Sequence, residues 1–125
     1  MPNSVDLVRE ELEALGHSTN LFDGPRGTVV SFDYIIEAGS HKGERVLVGV
    51  SFQEEGYPEY PPHWVHVTPR IPDGKEGGVV QEYTDNEGRE WLAMSRPPGD
   101  IWDKLPTKHM ASYKSEHLRR IWKDV

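Results

Sequence analysis

The chain of 125 residues contains no cysteine. That excludes disulfides, thiolate metal sites and any cysteine nucleophile, and it makes an intracellular location the default. No apolar run approaches the ~20 residues that cross a bilayer. Residues 1–15 carry neither a basic region nor an uninterrupted apolar segment, so they do not read as a secretory signal, and a cytoplasmic location is expected. Positive charge is scarce: 14 Lys plus Arg stand against 21 Asp plus Glu, for a net charge of −7. A general nucleic-acid binder needs a basic surface to displace counterions, so neither nucleic acid nor membrane is expected as a partner. No Gly-x-Ser-x-Gly elbow is present, which excludes the usual serine-hydrolase arrangement. The glycines at Gly24–Gly27 and Gly77-Gly78 lack the Gly-Lys-Ser/Thr ending of a phosphate cradle. Internal repeats and low-complexity tracts are absent too.

What remains is enough for one domain spanning 1–125, with 35% hydrophobic residues. Its charge is uneven: residues 1–100 hold 18 acidic and 8 basic side chains, whereas 101–125 hold 3 and 6. Val5, Val8, Leu12 and Leu15 recur at helical spacing and predict a helix over 4–15. Asn3 or Ser4 would cap it and Gly16 would end it, with Glu10, Glu11 and Glu13 off the apolar stripe. Val30, Phe32, Tyr34 and Ile36 alternate with Ser31, Asp33 and Ile35, predicting a strand over 28–37. Val46, Val48, Val50 and Phe52 predict another over 45–52, with Gly49 and Ser51 on its other face. The short link at 39–43 makes the two antiparallel. A third strand is expected over 63–68, an irregular stretch over 69–88 with a short strand near Val79, Val80 and Tyr83, and a last strand over 91–94. A helix over 107–123 would bury Met110, Tyr113, His117, Leu118, Ile121 and Trp122. Strands grouped between two helices predict an α+β fold.

Few constellations suggest chemistry. His63 and His66 lie three apart, but on a strand that spacing sends them to opposite faces. With no third ligand evident, no metal and no cofactor are expected. Histidines of this kind are expected on the surface or partly buried. Glu54-Glu55 precede a proline turn and read as an exposed acidic loop. Trp64, Trp91, Trp102 and Trp122 are a heavy aromatic load for a small core; an exposed one would serve as a binding anchor.

The segment from Phe52 to Thr68 contains Tyr57-Pro58-Glu59-Tyr60-Pro61-Pro62. Prolines fix φ and lack an N–H, so this is a stiff corner between strands, with Tyr57 laid against the prolines. A strand ending in an aromatic residue, then Tyr-Pro-x-x-Pro-Pro, then a strand ending in threonine, resembles the core signature of ubiquitin-conjugating (E2) enzymes. The order of elements is similar to theirs over 4–123, and Ile101-Trp102 resembles the tryptophan that follows their active-site loop. The resemblance implies a UBC-like antiparallel meander flanked by an N-terminal and a C-terminal helix. The single long helix after the loop matches the shorter, bacterial-type and variant members.

Active members carry His-Pro-Asn before a catalytic cysteine. Neither exists here, and alignment by Leu92 puts the nucleophile's place at Trp91, or after a small shift at Ala93. The resemblance therefore implies a scaffold or adaptor without catalytic residues, binding a ubiquitin-like protein or a partner enzyme of a conjugation pathway. Three alternatives stay open: an active enzyme whose cysteine was replaced, with Ala93 the candidate position; an RWD-type interaction domain; or an unrelated small-molecule enzyme using histidine and carboxylates. Whichever holds, Tyr57, Pro58, Pro61 and Pro62 are expected to be structural. Replacing Pro61 and Pro62 together should lower the melting temperature, which thermal unfolding followed by circular dichroism would measure.

Overall fold

The computed structural model describes residues 3–68 and 80–122. The N-terminal stripe forms helix α1, Ser4–Ala14, capped by Asn3, whose side chain accepts from the Asp6 N–H at 2.9 Å. Gly16 ends it at φ 94°, a left-handed value glycine adopts without a Cβ clash, while His17 N–H reaches back to Leu12 O at 3.1 Å. Val8 and Leu12 are buried, but Leu15 is 41% exposed, because the chain turns away there toward the sheet.

Among the described residues six strands follow in one antiparallel sheet: β1 (Thr19–Gly24), β2 (Gly27–Ile35), β3 (Arg45–Ser51), β4 (Trp64–Thr68), β5 (Val80–Thr84) and β6 (Glu90–Ser95), in spatial order β1-β2-β3-β4-β6-β5. The fold is α+β, as its alternating and helical patterns predict. β1 is an addition: Thr19–Gly24 holds only Leu21 and Phe22 as apolar residues, and adjacent residues show no alternation. It pairs with β2 through the two-residue loop Pro25-Arg26, with Gly24 opposite Gly27. Of the expected irregular stretch, Pro69, Pro72, Asp73, Gly74, Gly77, Gly78 and Val79 lie outside the described residues, as does Lys123.

One face carries Val30, Phe32, Tyr34, Val46, Val48, Val50, Val65, Val67, Leu92 and Met94, and packs with Val8 and Leu12 of α1 and with the C-terminal helices. The centre of the opposite face is also buried, while Ile35 at its margin is exposed. Its central row runs Ser31, Gly49, His66, Ala93 across four strands. These residues are small apart from His66, so the sheet curls over them until its two ends meet. Phe22 of β1 lies 5.3 Å from the Trp91 ring and 6.5 Å from that of Tyr83. Arg26 at the hairpin tip donates to Gln81 at 3.0 Å and stacks 4.4 Å over Trp64.

The expected helix over 107–123 is broken. Helix α2 (Asp100–Asp103) precedes it, α3 spans Met110–Glu116, and a 3₁₀ turn covers Leu118–Trp122. The break falls at His117, whose φ of −126° is not helical and whose Nε2–H donates to Arg96 O at 2.7 Å. Turning there lets Leu118 and Trp122 join Met110 and Tyr113 in the core, with Trp122 stacked 5.2 Å from Tyr34.

The curl has a sharp steric test. A Cβ on Gly49 would sit 2.4 Å from Val29 Cγ1, a short β-branched side chain with little room to yield. Gly49→Ala should destabilise the fold by about 1–3 kcal/mol in urea unfolding. Val29→Ala should then cost less in the Gly49→Ala background than in the native chain, which a double-mutant cycle measures.

Candidate functional site

The proline corner is built from three directions. Ser4 Oγ accepts the N–H of Gly56 at 3.0 Å and of Tyr57 at 2.9 Å. Glu55 Oε1 in turn accepts Ser4 N–H at 2.7 Å and its hydroxyl at 2.9 Å, placing a carboxylate at the positive end of α1. Glu55 is thus no idle member of an acidic loop. Trp102 of α2 is buried and donates from Nε1 to Pro58 O at 2.8 Å. The Tyr57–Pro58 peptide is cis. Tyr57 is buried. Its ring turns into the core, 6.1 Å from Phe52 and 5.9 Å from Trp102, and its hydroxyl donates to Glu11 Oε1 at 2.5 Å. Burial, with that carboxylate beside it, raises the phenol's pKa. Glu11 Oε1 also accepts the Met110 N–H at 2.9 Å, so one carboxylate off the apolar stripe joins α1, the corner and the start of α3. Pro62 is buried, Pro61 half-buried and Tyr60 exposed.

The two positions at which the resemblance would put a nucleophile are interior. Trp91 and Ala93 are both fully buried on the inner face of the curled sheet, and β6 is paired on both sides, with β4 and with β5. Ala93 stands in register with His66 and Gln81.

Beside it lies a polar trio that the sequence pattern does not announce. His66 is not near the surface but completely buried, because the sheet curls over its face. Its Nε2 lies 2.9 Å from Ser51 Oγ and its Nδ1 2.7 Å from Tyr83 Oη. A neutral imidazole has one N–H and one lone pair, and two hydroxyls can satisfy both in either tautomer. Burial penalises the charged imidazolium and pushes the ring's pKa down to about 3. His63 is half-buried and bonded instead to Ser95 Oγ at 2.7 Å, so the two histidines have separate partners. Among the described residues no three His, Asp or Glu side chains converge on a metal position.

A cleft of about 400 Å³ opens where the sheet ends approach, between β1 and the β5–β6 turn. Asp85 stands in its wall and ties the turn together. It accepts from Trp91 Nε1 at 2.8 Å, Arg89 Nε at 2.7 Å, and the N–H groups of Glu87 and Arg89 at 2.8 and 3.0 Å. Burial alone would raise its pKa, but these bonds outweigh burial and hold the carboxyl well below the usual range. All four tryptophans are buried, so none is a surface anchor. A signal for the inner face was present: the positions alternating with Val46, Val48 and Val50 include Gly49 and Ser51, small where a solvated strand carries long polar side chains.

The buried imidazole gives folding a pH dependence of known sign. Above pH ~6.5, His66 is neutral folded and unfolded, and contributes no slope. Between ~6.5 and about 3 only the unfolded chain takes its proton, so stability falls with falling pH, by at most about 1.4 kcal/mol per unit from this group. His17, His63 and His117, lowered chiefly by burial, add in the same direction. His66→Gln, which cannot titrate, should show a shallower loss between pH 6.5 and 4 in urea unfolding; an unchanged slope would mean that His66 is not held neutral.

Comparison of the chain with protein-family models, with curated proteins and with solved structures gives no match in any of the three.

Proposed function

We propose that the chain is a non-catalytic scaffold or adaptor of the ubiquitin-conjugating type, holding a ubiquitin-like protein or an enzyme of its conjugation pathway. What carries the reading is the corner: it joins the third and fourth strands of a meander that follows an N-terminal helix, the order the resemblance implies. It is held by Ser4, Glu11 and Trp102, so its exposed residues, Pro58, Glu59 and Tyr60, are presented on a stiff support. Tyrosine on a rigid surface loses little entropy on binding and is common among interface anchors.

The interior place of Trp91 and Ala93 favours binding over transfer. A thioester carrier must bring its sulfur to within bonding distance of a carbonyl on another protein. A cysteine at 93 would point among His66, Trp91 and Tyr83, away from solvent. Position 93 is therefore poorly suited to a replaced nucleophile.

The chain and its Ala93→Cys variant should each be incubated with an activating enzyme, ATP and a ubiquitin-like protein. A non-covalent complex by calorimetry is expected, with no reductant-sensitive adduct from either. In the variant the thiol should react with a thiol reagent only after denaturation. A thioester on the introduced thiol, or rapid labelling of the folded variant, would refute the reading, as would failure to bind every ubiquitin-like protein and pathway enzyme tried.

A further inference from the structure

The curled sheet brings its two outer strands to one cleft and leaves their far edges without a strand partner among the described residues. β1 pairs with β2 alone, and β5 with β6 alone. In a two-residue hairpin the closing pair is hydrogen-bonded, and bonded pairs then alternate. Gly24, Phe22 and Asn20 therefore direct their N–H and C=O groups toward β2, and the Ser31 hydroxyl adds a bond to Asn20 O at 3.3 Å. Thr19, Leu21 and Asp23 direct theirs outward. Consecutive residues Asn20 to Asp23 line the cleft on one side and Tyr83 to Asp85 on the other. Successive side chains of a strand point to opposite faces, so a cleft lined by consecutive residues is bordered by the strand edges themselves.

Natural sheets usually blunt such an edge with lysine, proline or a bulge. β1 has neither lysine nor proline within it and pairs with β2 in unbroken register over all its residues. It instead shows Leu21, 42% exposed, beside Asp23. The cleft is also acidic. Among the described residues that line it, Asp23, Asp85 and Glu87 face a single base, Arg89, which is engaged at 2.7 Å by Asp85 and at 2.7 Å by Glu87. Asp23 accepts from the Thr28 hydroxyl at 3.3 Å, a long bond that leaves most of its charge to the cleft.

We infer that the β1 edge is a docking strand for an extended, basic segment of a partner protein, which adds to the sheet through the outward backbone groups of Thr19, Leu21 and Asp23. Main-chain bonds to these residues supply the pairing. Lysine or arginine on the segment meets Asp23 and Glu87, and an aliphatic or β-branched residue covers Leu21. The inference stands on the edge and the cleft, independently of the conjugation-pathway reading.

A phage-displayed library of random nine-residue peptides, panned on the folded chain, tests it. Enriched sequences should be rich in Lys or Arg and β-branched residues and poor in Asp and Glu. A synthetic peptide from that pool should shift the amide resonances of residues 19–24 and slow hydrogen exchange at Leu21 and Asp23. Asp23→Lys should weaken binding at least tenfold. Leu21→Pro should abolish it while leaving the β2 ladder intact, because that N–H points outward. Methylating alternate backbone nitrogens of the peptide tests the same pairing without altering the protein. Enrichment of acidic or sequence-indifferent peptides, shifts mapping elsewhere, equal binding by Asp23→Lys, or no enrichment would each overturn the inference. So would a peptide-independent dimer through residues 19–24, because the edge would then serve a second copy. Loss of ubiquitin-like binding in the earlier experiment leaves all these readouts unaffected.

Discussion

The close approach of Val29 to Gly49 is the constraint on which the architecture depends. A six-stranded antiparallel sheet this short could lie open, with helices on one face and water on the other. Here Ser31, Gly49, Ser51 and Ala93 leave so little side chain on the second face that the β1–β2 hairpin folds across it. The large residues stand toward the ends: Phe22, Trp64, Tyr83 and Trp91 close over the strip from opposite sides. Small-in-the-middle and large-at-the-ends is what a curved surface requires, since the inside of a bend has less volume than its rim. The polar trio follows from the same geometry. Ser51 and His66 are trapped when the face closes; they satisfy each other at one ring nitrogen, and Tyr83 satisfies the second. Leaving one such buried group unpaired would cost about 1–3 kcal/mol.

A second fixed point lies on the opposite side of the sheet. Ser4 and Glu11, two polar residues two turns apart on α1, seize the corner at its backbone and at the Tyr57 hydroxyl. The corner's own prolines restrict φ but cannot donate hydrogen bonds, so its orientation has to be set from outside. α1 and Trp102 do this, and Glu11 extends the hold to the first N–H of α3. The helix packing and the corner are therefore one cooperative unit rather than a loop laid on a finished core.

Much of this was legible in the sequence, and what was not has identifiable causes. The alternation at Val30–Ile36 and Val46–Val50 reports one apolar face, and those positions are buried as expected. It says nothing of the other face unless small residues there are taken as a sign of burial. β1 escaped notice because an edge strand with one half-exposed leucine and one inward phenylalanine has no period to detect. The C-terminal stripe correctly marked Met110, Tyr113, Leu118 and Trp122 as core, but the break at His117 depends on a bond to Arg96 O, twenty-one residues away in the chain and invisible to local spacing. Glu11 and Ser4 looked like solvent-facing and capping residues because their partners lie in the corner and at α3. The proline corner itself was the most readable feature, since its stiffness is intrinsic to its residues.

The arrangement of polar groups also constrains what kind of activity suits the molecule. Ser51, His66 and Tyr83 have the composition of a nucleophile relay, yet Ser51 and His66 are shut from water and the imidazole is far less basic than a general base near neutral pH requires. Asp85, the most strongly perturbed carboxylate of the cleft, is saturated by four donors and fixes a turn. Perturbed groups often mark active sites, but they do so when a reacting atom can reach them. Here the perturbation comes from burial at His66 and from the surrounding donors at Asp85. Among the described residues these polar side chains are committed to holding the sheet and its turn together, while the outer edge of β1 keeps backbone groups without a strand partner, and the two proposals above rest on that division.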